Sequence, residues 1–152
     1  MINIADFTSI EALKNAIKEK MSETLQTDVA NEVIRVMQGS IQEFVYDAYT
    51  PLVYVRRGYQ GGLGDPDNFT FDLISNNEIN VYNITPPNEL YNPKLIEGHT
   101  LTEAIVTGNF YDYRSPGARP FVAEAKKSLE KNNQHKIAMV DGLRKRGITV
   151  NR

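Results

Sequence analysis

The chain has 152 residues, 41% of them hydrophobic, and a formal net charge of −2. That is enough apolar material for one packed domain and too much for wholesale disorder. No apolar run approaches the ~20 residues of a membrane span, the opening MINIADFTSIEALK lacks the basic-then-apolar order of a signal peptide, and the absence of cysteine excludes disulfides, thiolate metal sites and a cysteine nucleophile.

Thr8 and Glu11 have the spacing of a capping box, ahead of Ile10, Leu13, Ile17 and Met21 at helical intervals. The pattern blurs over Ser22–Thr27 and resumes with Ile34, Met37, Ile41, Phe44 and Ala48. The spacing predicts a short helix, a weak junction and a long helix from about Asp28 to Tyr49. Pro51 stops it, because the residue before a proline avoids the helical region. Gly39 inside that helix costs roughly 1 kcal/mol against alanine; either another backbone approaches there or the glycine is only tolerated. These N-terminal helices span residues 8–49.

Leu52–Arg56 reads as a short strand, and Gln60–Asn68 is too rich in Gly, Asp and Pro for regular structure. Phe69, Phe71 and Leu73 then fall on one face of a strand, with Thr70 and Asp72 on the other. Ile79 and Val81 repeat the alternation in a second strand that runs to Ile84. Ser75-Asn76-Asn77 between them has turn chemistry, so the region 52–85 holds an antiparallel hairpin. Pro86, Pro87 and Pro93 mark a loop. Thr100 and Glu103 open a helix that Gly108 closes. After the loop NFYDYRSPGARPF, Pro120 suits the first turn of a helix. Phe121, Ala125 and Leu129 form one apolar stripe; Ile137, Val140 and Leu143 form another. Asn132-Asn133 either separates two helices or dents one. With this C-terminal helical part, 100–147, the sum is a single α+β domain over 1–152. A long N-terminal helix and C-terminal helices pack on a small antiparallel β-sheet, with long Gly/Pro-rich loops.

Catalytic signatures are sparse. His99 and His135 occur in no metal-ligand spacing and read as surface histidines. Asp65, Asp67 and Asn68 begin a calcium-loop pattern that Pro66 and Phe69 interrupt. Gly58, Gly61, Gly62 and Gly64 lack the Gly-Lys-Ser/Thr that a phosphate cradle needs, and a strand follows them. No nucleophile elbow is present. The expectation is therefore a non-enzymatic protein without cofactor or metal.

Charge is divided. Residues 119–152 hold nine Lys/Arg against three Asp/Glu, and residues 1–118 hold eight against sixteen, a local +6 and −8. Such halves attract within a chain, between copies or towards another partner. Arg144, Lys145, Arg146 and Arg152 near the C-terminus, with Arg56 and Arg57 flanked by tyrosines, also fit phosphates and bases. The rival expectation is thus a nucleic-acid-binding accessory domain using the basic C-terminal helix.

The stretch VYDAYTPLVYVRRGYQGGLGDPDNF carries Tyr49, Pro51, Tyr54, Arg56, Arg57, Gly61, Gly62, Leu63, Asp65 and Asn68. It resembles a segment of the tail-completion, or head–tail joining, proteins of the neck of tailed bacteriophages, often labelled minor structural proteins. There a long helix ends at Tyr-x-Pro, and a tyrosine, arginines and a Gly-Gly-Leu-x-Asp element precede a hairpin. The later TEAIVTGNFYDYRSPGARPFVAEAKKSLEKN is similar to the same family's C-terminal block, through Glu103, Ile105, Gly108, Arg119, Pro120 and Phe121. Together the two blocks cover residues 45–133. The resemblance implies a virion protein assembled in the bacterial host cytoplasm, with no catalytic residues and no membrane. Its partners would be copies of itself in a ring, other neck, head-closure or tail proteins, and the DNA that passes.

Tyr54, Arg56, Arg57, Leu63, Asp65 and Arg119 are then the candidate assembly contacts. The glycine-rich loop Gln60–Asn68 is expected to be mobile in the isolated chain and to order against a neighbour through Leu63. An intramolecular alternative stands beside this: Pro51 and Tyr54 pack on the long helix, and Arg56 pairs with Asp65 or Asp67.

Overall fold

The computed structural model describes residues 7–48, 50, 55–87, 99–108 and 117–150. The first helix, α1, is Ile10–Thr24. Its cap is Ser9 rather than Thr8: the Ser9 hydroxyl accepts from the Ala12 N–H at 3.1 Å, satisfying one of the orphan donors of the first turn. The expected junction is not a break. Leu25–Val29 form a π-helical turn that leads directly into α2, Ala30–Ile41, and a second π turn follows at Gln42–Tyr46. A π turn inserts a residue into the helical repeat. That phase shift is why the apolar spacing blurs at Ser22–Thr27 while the backbone stays helical.

The hairpin stands where the alternation put it, with β1 at Phe69–Ser75, β2 at Glu78–Asn83 and Asn76-Asn77 as the turn. These two antiparallel strands are the whole sheet among the described residues. A short 3₁₀ turn, Pro66–Asn68, leads into β1. Of the strand expected at Leu52–Arg56, residues 52–54 lie outside the described residues, and Val55 and Arg56 are in irregular structure.

Helix α3, Leu101–Thr107, begins with the Thr100 hydroxyl accepting from the Glu103 N–H at 3.1 Å and ends at Gly108 in the left-handed region. Helices α4, Phe121–Asn132, and α5, Gln134–Lys145, are separate, because Asn133 between them takes φ 51°. The fold class is α+β, as expected.

The described residues gather in two compact units. The first draws on Met1–Val33, Phe71–Val81 and Leu129–Arg152. In it α5 packs on the first π turn and on α1, around buried Thr24, Leu25, Val29, Ala30 and Leu143. Gly142 permits the approach: a Cβ there would lie 2.5 Å from Thr24 Cγ2. The second draws on Ile34–Thr70 and Tyr82–Ser128. Its core holds Met37, Ile41, Val45, Leu63, Ile105 and Phe121. Backbone bonds from Leu101 to Thr85 (3.3 Å) and from Arg119 to Ile105 (2.9 Å) tie its segments together.

Candidate functional site

The Tyr/Arg/Gly stretch lies in the second unit, against the end of the helical run. That end presents unsatisfied carbonyls and the negative pole of the helix dipole. Arg56 meets both: Nη1 donates to the Tyr46 carbonyl at 2.6 Å and Nη2 to that of Val45 at 3.5 Å. Its guanidinium carbon also lies 5.4 Å from the centre of the Tyr46 ring, a cation–π distance.

Tyr46 clasps the loop with its hydroxyl. It donates to the Gly58 carbonyl at 3.0 Å and accepts from the Gly64 N–H at 2.9 Å. Burial pushes its phenol above the ordinary value of 10.0, more strongly than the Gly64 N–H draws it down. The Tyr59 ring stands edge-on to that of Tyr46, centroids 6.1 Å apart. Its hydroxyl donates to Gln42, whose amide donates in turn to Asp47 at 2.7 Å.

The glycines are needed because the loop folds back on itself. A Cβ on Gly62 would come within 2.5 Å of the Gly58 carbonyl oxygen, and one on Gly64 within 2.9 Å of the Tyr59 ring. Side-chain amides close the remaining carbonyls. Gln38 donates to Gly64 O at 2.8 Å, Asn68 to Gly62 O at 2.8 Å and Asn83 to Leu63 O at 2.9 Å. Asn83 Oδ1 accepts from the Thr85 N–H and the Thr102 hydroxyl, both at 3.0 Å. Buried polar groups are tolerated when paired this way.

The expectation of a loop that orders only against a neighbour is therefore corrected. Leu63 is 2% exposed and its side chain belongs to the unit's own core. Asp65 turns inwards on the loop, accepting from Gly61 and Asp67 N–H groups; the Gly61 bond, then the Asp67 bond, hold its carboxyl below the ordinary range. Arg57 donates to the Pro86 carbonyl at 2.7 Å, and Arg119 is buried. Tyr54 lies outside the described residues. The structure thus brings Arg56, Leu63 and Asp65 into one clasp, with Arg57 at its border, while Arg119 stands on the approach to α4. Tyr46, Gln38, Asn83 and Thr85 were not foreseen as its builders. The available signal was polar residues interrupting apolar patterns, at Asn83, the last residue of β2, and Thr85 just beyond it above all.

The basic C-terminal segment is engaged within the first unit. Lys145 Nζ and Arg146 Nη1 lie 2.7 and 2.6 Å from the two Asp28 oxygens. Arg146 also reaches Glu23 at 3.4 Å and the Thr27 hydroxyl at 2.6 Å, and Arg144 reaches Asp141 at 3.4 Å. Lys145 foremost, with Arg146 and Thr27, draws the Asp28 carboxyl down from 3.8 to about 2. Among the described residues, no group of three or more His, Cys, Asp or Glu is placed to hold a metal, and no helix is long and apolar enough to cross a membrane.

What fold and clasp define is a small α+β protein in which a helix end locks a glycine-rich loop, its polar groups occupied by that task. The chain belongs to the YomN family, whose model matches residues 9–145. The name is phage-derived, and membership points to a phage or prophage protein. No curated protein and no solved structure matches the chain.

Proposed function

We propose that this phage protein is a non-enzymatic structural component of the virion neck, a ring-forming connector in head–tail joining or tail completion. Its partners are copies of itself and neighbouring neck, head-closure or tail proteins, met in the host cytoplasm during assembly. The observation that carries the reading is the match to a phage-derived family over residues 9–145, which includes both blocks that resemble neck proteins. The clasp agrees with it. Tyr46, Arg56, Leu63 and Asp65 are spent on rigidity, and a preformed surface loses less conformational entropy when subunits meet.

The nucleic-acid reading is weakened by the ion pairs of Lys145, Arg146 and Arg144, since cations already neutralised release fewer counterions on binding phosphate. The test is deletion of the gene in the phage that encodes the chain. Filled heads and free tails that the purified protein joins in the test tube are expected. Intact infectious particles from the deletion strain would overturn the reading.

A further inference from the structure

Two apolar phases run through the end of the long helical segment. Met37, Ile41, Phe44 and Ala48 recur at α-helical spacing. The folded chain buries a different set: Met37, Ile41 and Val45, at 5%, 0% and 3% exposure. Phe44 is left half-buried and Ala48 exposed. The change of phase falls in the π turn Gln42–Tyr46, where the Asp47 N–H donates to the Gln42 carbonyl at 2.8 Å. That carbonyl lies five residues back, one more than in an α-helix, so the turn holds one surplus residue.

The surplus residue decides whether the clasp closes. Relaxing the turn to α geometry would hand the Asp47 N–H to the Glu43 carbonyl. With Ile41 anchored in the core, the residues beyond would turn by about 100° and advance about 1.5 Å. Phe44 would arrive where Val45 was, and Val45 where Tyr46 was. An apolar side chain would still fill the core, so the sequence suits both phases. The Tyr46 hydroxyl, however, would leave the Gly58 carbonyl and the Gly64 N–H, and the Val45 and Tyr46 carbonyls would leave Arg56. Gln42 pins the π form with its side chain: its amide donates to Asp47 Oδ1 at 2.7 Å, and its Oε1 accepts from the Tyr59 hydroxyl at 3.3 Å. Every group in this exchange lies in the second unit.

We propose that Gln42–Tyr46 is a register switch for the glycine-rich loop. The π register is the ground state; it buries Val45 and closes the clasp. The α register is a minor state; it buries Phe44 and frees Gly58–Gly64 while the helix stays formed. The switch belongs to the chain itself and stands apart from the neck role. A partner shifts the balance only by binding one register better than the other.

Relaxation-dispersion NMR on the isolated chain tests this, because it reads minor states that exchange in microseconds to milliseconds. The Tyr46, Gly58 and Gly64 amides are expected to share one exchange process, and the Met37 amide, ahead of the turn, to stay outside it. Phe44→Ala removes the side chain that fills the core in the α register and should lower the minor population several-fold. Val45→Ala removes the one that fills it in the π register and should raise that population several-fold. Urea unfolding verifies that each variant is folded. Both substitutions should lower global stability, so opposite signs in the minor population separate a register change from general loosening. No exchange at the loop, or a shift of the same sign from both variants, overturns the proposal. Should Val45→Ala fail to fold, Phe44→Ala decides alone: a minor population that rises or stays constant overturns the switch.

Discussion

Leu63 and Tyr46 hold the glycine-rich loop by different physics. Leu63 contributes burial: at 2% exposure, Leu63→Ala is expected to cost about 2–5 kcal/mol. Leu63→Asp would bury a carboxylate without a partner, so it should abolish cooperative unfolding of the native state in urea. An unchanged urea midpoint for the Asp variant would show that the loop is peripheral. Tyr46 contributes two hydrogen bonds. Tyr46→Phe leaves the Gly58 carbonyl and the Gly64 N–H without that partner, a loss of about 1–3 kcal/mol. The same phenol makes stability depend on alkaline pH. Its folded value is raised above 10.0, so its contribution is complete below pH 10 and disappears as pH rises through the folded value. Wild-type stability should therefore fall in that range, and Tyr46→Phe should fall less. Equal slopes in chemical denaturation would contradict the clasp.

Among the helices, two glycines with the same propensity cost face different neighbours. Gly39 in α2 has nothing within 4 Å of the place a Cβ would occupy, so Gly39→Ala should stabilise by about 0.5–1 kcal/mol through helix propensity alone. Gly142 in α5 has Thr24 Cγ2 at 2.5 Å and Asp28 Oδ2 at 2.9 Å from the corresponding place. Overpacking of about 1–3 kcal/mol outweighs the propensity gain there, and Gly142→Ala should lower the melting temperature. Opposite signs are the expected result of thermal unfolding; a matched increase would mean that α5 is not seated on the π turn. Asp28 pins the same helix. Its carboxyl is depressed to about 2, so its contribution is present above the ordinary 3.8 and lost as pH falls from about 4 to about 2. Allowing for the solvent exposure of Lys145, about 1–2 kcal/mol is involved. Asp28→Asn should lose that amount at neutral pH and flatten the acid limb of the stability profile.

At the scale of the whole molecule, the relevant quantity is the division of charge, −8 over residues 1–118 and +6 over 119–152. Part of it is satisfied within the chain, where Asp28 and Glu23 meet Lys145 and Arg146. What remains at exposed positions attracts another copy only over about a Debye length, roughly 8 Å at physiological salt. A monomer in equilibrium with weak, concentration-dependent oligomers is therefore expected in dilute solution, with the oligomers receding as salt is raised. Sedimentation velocity across concentration and ionic strength measures this. A tight dimer indifferent to salt would contradict the connector role proposed above.

The sequence by itself determined the elements whose signals are local. Alternation in Phe69–Ser75 and Glu78–Asn83, the Thr100 cap, the Gly108 stop and the Pro120 start each follow from a few adjacent residues. It also carried the two blocks that led to a phage protein. The continuity of the helix through Leu25–Val29 was hidden, because a π turn shifts the apolar phase in the way a break would. The fate of Leu63, Arg56 and Asp65 was hidden for a stronger reason. A leucine, an arginine and an aspartate in or beside a glycine-rich loop are equally suited to a neighbour and to their own chain. Only the tertiary structure decides between these, by bringing Gln38, Tyr46 and Asn83, distant in sequence, within 3.0 Å of the same loop's carbonyls.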